Sequence, residues 1–103
     1  MVAETQRIGL RFHLGRTVIT PGASEEIERL SENPEKLLKM HLQLQQGVLD
    51  KEDYQQNLDA VKRNSEGQLQ QRIFSAYQIE NVKFWVITEW DESATTILLP
   101  SEY

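Results

Sequence analysis

Apolar and polar positions alternate along the C-terminal third of the chain, where two β-rich runs, Ile73 to Ile79 and Val82 to Glu89, flank Glu80-Asn81. Asparagine tolerates a positive φ, so this dipeptide predicts a two-residue hairpin turn. If the first run ends opposite the start of the second, three further cross-strand pairs follow, with mainly apolar and aromatic side chains on one face. These pairs are Tyr77 with Phe84, Ser75 with Val86, and Ile73 with Thr88.

The predicted ribbon is apolar on both faces. Ala94 to Leu99 is expected to return beside the middle strand and to end at Pro100, because proline cannot donate to a ladder. The opposite face holds five further apolar side chains: Phe74, Ala76, Trp85, Ile87 and Leu98. A sheet that is apolar on both sides needs cover on both. The helices upstream can cover one side, and the N-terminal segment or a second copy is expected to cover the other, which predicts a homodimer.

The first two thirds of the chain predict one strand followed by helices. Strict alternation from Ile8 to Leu14 indicates a half-buried strand. Gly15-Arg16 is expected to make a bulge or a bend, after which Thr17-Val18-Ile19 continues extended. Capping residues indicate three helix starts: Thr20-Pro21, with Ser24 as the alternative cap, then Asn33-Pro34 and Asp50. Gly47 is expected to end the second helix.

These elements predict one α+β domain over residues 1–103: an N-terminal strand, two or three helices, and a three-stranded antiparallel C-terminal meander packed on the helices. A chain of 103 residues can bury one modest core. Residues 1–6 are expected to be disordered.

Composition narrows the function. The chain has no cysteine, which excludes a disulfide framework, a thiolate metal site and a cysteine nucleophile. The sequence shows no basic, apolar, small-residue leader pattern and no apolar run near 18 residues, so neither export nor membrane spanning is expected, and a cytoplasmic protein with no membrane partner is predicted. The net charge of −5 argues against a general nucleic-acid binder, which would neutralise phosphates with lysine and arginine. No sequence motif predicts a cofactor.

A second turn is predicted at Trp90-Asp91-Glu92-Ser93, between the middle and the last strand. The densest polar cluster surrounds this turn, and its candidate residues are Thr88, Glu89, Asp91 and Thr95. On a hairpin Thr88 can face Thr95, and Glu89 can lie near Asp91. Two close carboxylates can hold a divalent cation or divide acid and base roles between them. The structural alternative is an acidic turn beside a threonine pair. Because no nucleophile–base pair or glycine-rich phosphate loop accompanies the cluster, no catalytic or metal-binding residue is assigned, and an interaction role is expected.

Two further groups have a structural and a functional interpretation. His41 lies among leucines at helical spacing, and a packed or hydrogen-bonded role is favoured because no second histidine or cysteine lies at ligand spacing. His13 falls on the polar side of the predicted first strand, as a surface residue. The aromatic side chains of the meander could stack bases, but core packing is favoured because the surrounding charge is acidic. They are Phe74, Tyr77, Phe84, Trp85 and Trp90.

Four segments carry a resemblance to a known family: TPGA at 20–23, RIFSAY at 72–77, WVITEWD at 85–91 and TTILLPSEY at 95–103. They resemble the segments TPGAL, RLLSAY and WIITEADRS-TTVLLPEEY of small bacterial proteins carried on plasmids and other mobile elements, often labelled plasmid-related proteins. A Gly-Asp-Trp-Gly element of the family is reduced here to Gly47, and an arginine after the acidic turn residue is replaced by Glu92. The resemblance implies a shared fold and a mobile-element setting, and it implies no reaction.

The sequence therefore predicts a non-enzymatic, accessory or regulatory protein-interaction domain linked to mobile elements, which associates with itself or with another protein. The alternative is a protein like the small ribonuclease toxins, because helices followed by a small antiparallel sheet are also the build of those enzymes. Such enzymes usually need basic residues at their site, and this chain offers Arg72 and Lys83.

Overall fold

The structure is a computed structural model that describes residues 12–67 and 71–103. In chain order the described elements are a strand, three helices, three further strands and a short 3-10 helix. Their bounds are β1 Arg16–Ile19, α1 Pro21–Arg29, α2 Pro34–Leu42, α3 Lys51–Ser65, β2 Ile73–Ile79, β3 Val82–Thr88, β4 Ala94–Leu98 and the 3-10 helix Pro100–Glu102. The predicted α+β fold is confirmed.

The four strands form one sheet in the order β1-β4-β3-β2. The predicted hairpin register is confirmed, because Ile79 lies opposite Val82 and Ile73 lies opposite Thr88. The positive φ expected of Asn81 is found instead at Glu80, with φ 53°. β4 returns antiparallel to β3, as predicted. β1 adds a fourth strand, which runs parallel to β4 and pairs Ile19 with Ile97. The helices and the hairpin supply the long crossover that a parallel pair requires.

The predicted N-terminal strand is confirmed at Arg16–Ile19, where the run Thr17-Val18-Ile19 is extended as expected, but its predicted part from Phe12 to Leu14 is wrong. The rest of the predicted strand and the disorder predicted for residues 1–6 lie outside the described residues. No ladder includes the chain from Phe12 to Leu14. Phe12 is instead buried in a cluster with Leu44 and Ile73, at one end of the core. Gly15, at φ 64°, then bends the chain into β1. A β-carbon there would lie 2.4 Å from backbone carbonyl oxygens of the β3–β4 turn, so only glycine fits.

The predicted helix starts are confirmed, but the predicted end of α2 is wrong. The side chains of Thr20, Asn33 and Asp50 each accept a backbone N–H bond at the start of a helix. α2 ends at Leu42, before Gly47. Two residues after this end, Leu44 adopts a left-handed backbone with φ 55°. That conformation is costly for leucine, and burial of its side chain in the core offsets the cost.

The sheet has a helix-covered face and a second face. The helix-covered face buries Tyr77, Phe84, Val86 and Ile97 in the core, where Leu37 of α2 packs with them. On the second face Tyr103 packs edge-on against Trp85 with ring centroids 5.5 Å apart, and Trp85 packs against Phe74 at 4.9 Å. Ile87 and Leu98 on this face are also buried. The C-terminal residues thus supply part of the cover that the sequence assigned to the N-terminal segment or to a second copy.

The outer edge of β2 is occupied by groups from the preceding helix and loop. The backbone N–H of Phe74 donates to Oδ1 of Asn57 at 2.8 Å, and the N–H of Val48 donates to the carbonyl of Ala76 at 2.9 Å. Open strand edges are templates for pairing with other chains. These two hydrogen bonds block such pairing along the middle of β2.

Glu102 joins the C-terminal turn to the start of α1. Its carboxylate accepts hydrogen bonds from Thr20 Oγ1, from the N–H of Gly22 at 2.9 Å and from the N–H of Leu99 at 3.0 Å. A β-carbon on Gly22 would lie 2.7 Å from this carboxylate. These bonds, the one from Thr20 first, lower the pKa of the Glu102 carboxyl. The segments 20–23 and 95–103 are therefore parts of one contact.

We expect Gly47→Ala to destabilise the protein by about 3 kcal/mol or more, since the new β-carbon would lie 2.1 Å from the carbonyl oxygen of Ala76. Urea denaturation followed by circular dichroism measures the loss. Gly67→Ala is the matched control, because Gly67 shares the left-handed backbone and no described atom that could clash lies within 4 Å of the new carbon. Its expected cost is about 1 kcal/mol. Equal losses in the two variants would contradict a steric role for the Ala76 contact.

We expect Glu102→Gln to lower the Tm, because the amide keeps the shape of the side chain but removes the negative charge and one acceptor oxygen from the start of α1. Differential scanning calorimetry at neutral pH and low salt measures the change. Glu25→Gln is the control, because this substitution removes the same charge from an exposed residue of α1. A Tm loss for Glu102→Gln no greater than that of the control would show that the contact does not stabilise the fold.

Candidate functional site

Thr88 and Thr95 lie opposite each other on β3 and β4, as the sequence predicted, with their hydroxyl oxygens 2.6 Å apart. Both side chains point to the helix-covered face and are fully buried. Glu89 and Asp91 follow in the turn outside the core. The structure thus divides the predicted cluster into two hydroxyls inside the protein and two carboxylates at its surface.

The two threonines belong to a buried hydrogen-bonded chain centred on His41. Nδ1 of His41 lies 2.7 Å from Oγ of Ser75, and Nε2 lies 2.9 Å from Oγ1 of Thr88. Thr95 Oγ1 donates to the carbonyl of Leu14 at 2.7 Å. The chain of contacts therefore joins α2, three strands and the segment that precedes β1. Among the described residues, no buried side-chain nitrogen or oxygen is without a hydrogen-bond partner.

The carbonyl of Leu14 fixes the direction of the bonds that lead from Thr95 through Thr88 to His41. A carbonyl can only accept, so the proton of Thr95 points to Leu14 and the proton of Thr88 must point to Thr95. Thr88 then accepts from Nε2–H of His41, so the geometry places a proton on Nε2. In the neutral ring, which burial favours, Nδ1 accepts from the hydroxyl of Ser75.

Burial opposes protonation of this imidazole. His41 is fully buried, and the ring of Phe12 lies edge-on to it with centroids 5.1 Å apart. Desolvation lowers the pKa of His41 from 6.5 to about 3. The packed, neutral, hydrogen-bonded role that the sequence favoured is therefore confirmed, and the ring has no contact with solvent.

The surface carboxylates of the cluster each have a separate partner. Glu89 accepts from Nε of Arg72 at 3.2 Å, and Arg72 also donates to the hydroxyl of Tyr103 at 3.0 Å. Asp91 accepts from the N–H of Ser93 at 3.1 Å, and its bonds to Ser93, the side-chain bond first, lower the pKa of the Asp91 carboxyl. Within residues 12–67 and 71–103, no group of three histidine or acidic side chains is placed to hold a metal ion.

The aromatic residues of the meander divide between the two faces. Tyr77 and Phe84 are fully buried, which confirms core packing for both. Phe74 and Trp85 are half-buried on the second face, and Trp90 in the β3–β4 turn is 52% exposed. The aromatic side chains therefore do not form one stacking platform.

β1 forms an exposed edge of the sheet. Its four residues are all exposed, and Val18 and Ile19 are 38% and 37% exposed on opposite faces of the strand. The backbone N–H groups of Arg16 and Thr20 donate towards β4. Because these directions alternate along a strand, the backbone groups of Thr17 and Ile19 point away from the sheet. In the described part of the chain these outward groups have no ladder partner.

Sequence reasoning missed both the partners of His41 and the pairing of β1 with β4. The available signal for the first was Ser75, a hydroxyl on the otherwise apolar face between Ile73 and Tyr77. Its helical partner could not be read from the sequence, because it lies 34 residues away. No local signal gives the parallel pairing of β1, since its partner strand lies almost at the other end of the chain.

We expect the stability of the protein to fall with pH below 6.5, because the unfolded chain binds a proton at His41 and the folded protein does not until about pH 3. The loss attributable to His41 should approach about 1.4 kcal/mol for each pH unit in this window. His41→Gln removes this contribution. Denaturation midpoints of the two proteins, measured from neutral pH down to about pH 5, should converge as the pH falls.

Asp91 and Glu102 also lose stabilising contacts in acid, but both remain in the variant, so the difference between the two proteins isolates His41. His13→Gln is the matched control, because His13 is exposed and its backbone N–H bond to Glu92 survives the substitution. Parallel pH profiles for the wild-type protein and His41→Gln would contradict a neutral buried imidazole.

No protein-family model, curated protein or solved structure matches the chain. In the part of the chain that the structure describes, none of the helices is sufficiently long and apolar to cross a bilayer.

Proposed function

We propose that this chain is a cytoplasmic, non-enzymatic protein-interaction domain that associates with itself or with another protein in the setting of a mobile element. The observation that carries the interaction role is the exposed edge strand β1, where apolar side chains and outward-pointing backbone groups lie together. The mobile-element setting is supported by the resemblance of the segments at 20–23, 72–77, 85–91 and 95–103 to those of plasmid-related proteins.

The polar residues of the candidate site are bonded to other residues of the protein, which supports a non-enzymatic role. A general acid or base must reach the substrate within hydrogen-bonding distance, directly or through one water molecule. His41, Thr88 and Thr95 are fully buried and hydrogen-bonded to one another. Glu89 is bound to Arg72 at the surface. These five residues therefore act as parts of the scaffold.

The β1 edge supports binding by strand addition. An extended segment that pairs with an open strand gains main-chain hydrogen bonds, and alternate side chains add selectivity. Natural edge strands are usually protected by short length, charged side chains, proline, a bulge or a covering element, and β1 has the first two through its four residues and Arg16. Thr17, Val18 and Ile19 carry none of the protective residue types, whereas the edge of β2 is covered by Asn57 and Val48. The difference between the two edges favours β1 as the binding edge.

The ribonuclease alternative has less support. Arg72 is engaged with Glu89 and Tyr103, and Lys83 lies at the opposite end of β3 from Glu89. Two basic side chains so placed do not converge on one phosphate, and the net charge of −5 repels RNA.

Light scattering of the purified chain at micromolar concentration tests self-association, and we expect a mass greater than that of one chain. Incubation with single-stranded RNA tests the enzymatic alternative, and we expect the RNA to stay intact. A single-chain mass would contradict self-association. RNA cleavage by the wild-type chain that is lost in Arg72→Gln would contradict the non-enzymatic role and favour the alternative.

A further inference from the structure

The open edge of β1 has the geometry of a self-complementary strand. Thr17 and Ile19 present the outward N–H and C=O groups, and Val18 lies midway between them. In an antiparallel pair, residues with groups directed at each other exchange two hydrogen bonds, and the residue between them faces its counterpart without such bonds. A two-fold axis at Val18 therefore matches each outward residue of one copy with an outward residue of another.

We infer that β1 pairs antiparallel with β1 of a second copy across a two-fold axis at Val18, which joins the two sheets into one. This inference rests on the proposed function and specifies its surface and its partner. Thr17 of each copy pairs with Ile19 of the other, and the two Val18 side chains meet on the second face. The pairing covers the exposed apolar surface of Val18 and Ile19.

Charge complementarity at the ends of this pairing favours a second copy over an unrelated peptide. The register that places Val18 on the axis places Arg16 opposite Thr20 of the second copy. Thr20 holds the carboxylate of Glu102 through its hydroxyl. Arg16 is exposed, and no salt bridge in the described residues includes it. The two-fold axis therefore brings Arg16 of each copy close to the carboxylate of Glu102 in the other copy, so the same contact forms at both ends of the pairing.

Glu102 retains capacity for this contact. Its two oxygens accept three hydrogen bonds, from Thr20, Gly22 and Leu99, and a carboxylate offers about four acceptor positions. The carboxylate is exposed and is fixed at the start of α1 by those bonds. An ordered charge loses less side-chain freedom on binding than a mobile one.

The test uses cysteine cross-linking, because the chain has no cysteine of its own. At a two-fold axis the two Val18 positions are closely opposed, within the range a disulfide can bridge. We expect Val18→Cys to form a covalent dimer in a glutathione redox buffer about tenfold faster than Ile19→Cys. Ile19 is the register control, because its exposure is similar and its predicted partner is Thr17 of the second copy.

Arg16→Glu provides an independent test without a cysteine. It places two negative charges together at both ends of the pairing, and we expect the dimer to dissociate at about tenfold higher protein concentration. Arg63→Glu makes the same change of charge on the exposed last turn of α3 and should leave the dimer unchanged. Light scattering over a dilution series and circular dichroism measure the mass and the fold of each variant.

The outcomes separate this inference from the proposed function. Rapid cross-linking of Val18→Cys, with a weakened dimer only in Arg16→Glu, would support pairing at β1. A wild-type dimer that neither cross-links at Val18 nor responds to Arg16→Glu would overturn the β1 pairing and leave self-association through another surface. A wild-type monomer that also fails to cross-link would overturn both the pairing and the self-association.

Discussion

The imidazole of His41 lies at the centre of this structure, where it hydrogen-bonds to Ser75 on β2 and to Thr88 on β3. Thr88 is hydrogen-bonded in turn to Thr95, which donates to the backbone carbonyl of Leu14, ahead of β1. A buried polar group that loses its partner costs about 1–3 kcal/mol. These hydrogen bonds therefore fix α2 against β2, β3 and β4. The helix can occupy only the position in which all of these buried groups keep their partners.

The two edges of the sheet differ in how far they are covered by other parts of the protein. The edge of β2 is covered by Asn57 and Val48, so it is unsuited to pairing with another chain. The edge of β1 carries exposed side chains and outward backbone groups. Glu102 draws the C-terminal turn to the start of α1, beside β1. The anchored charge and the open edge are therefore neighbours, which makes this side of the molecule the natural interaction surface.

Sequence reasoning succeeded where the physical cause is local. The two-residue turn at Glu80-Asn81 fixes the register of β2 and β3, and capping side chains such as Thr20 and Asn33 fix the helix starts. It failed where a distant partner decides. Phe12 fits the alternation of a strand, yet it fills the space beside His41 because burial of an aromatic ring outweighs the ladder bonds of a short strand.

The candidate cluster illustrates the same division. Its chemical groups were evident from the sequence, as was the opposition of Thr88 and Thr95 across the hairpin. Only the tertiary structure decided that those hydroxyls lie inside the protein with His41 while Glu89 lies outside with Arg72. By itself the sequence determined the α+β class, the meander and the caps, because these depend on neighbours along the chain. The parallel pairing of β1, the buried hydrogen bonds and the open edge depend on residues far apart in sequence, which only the packed chain brings together.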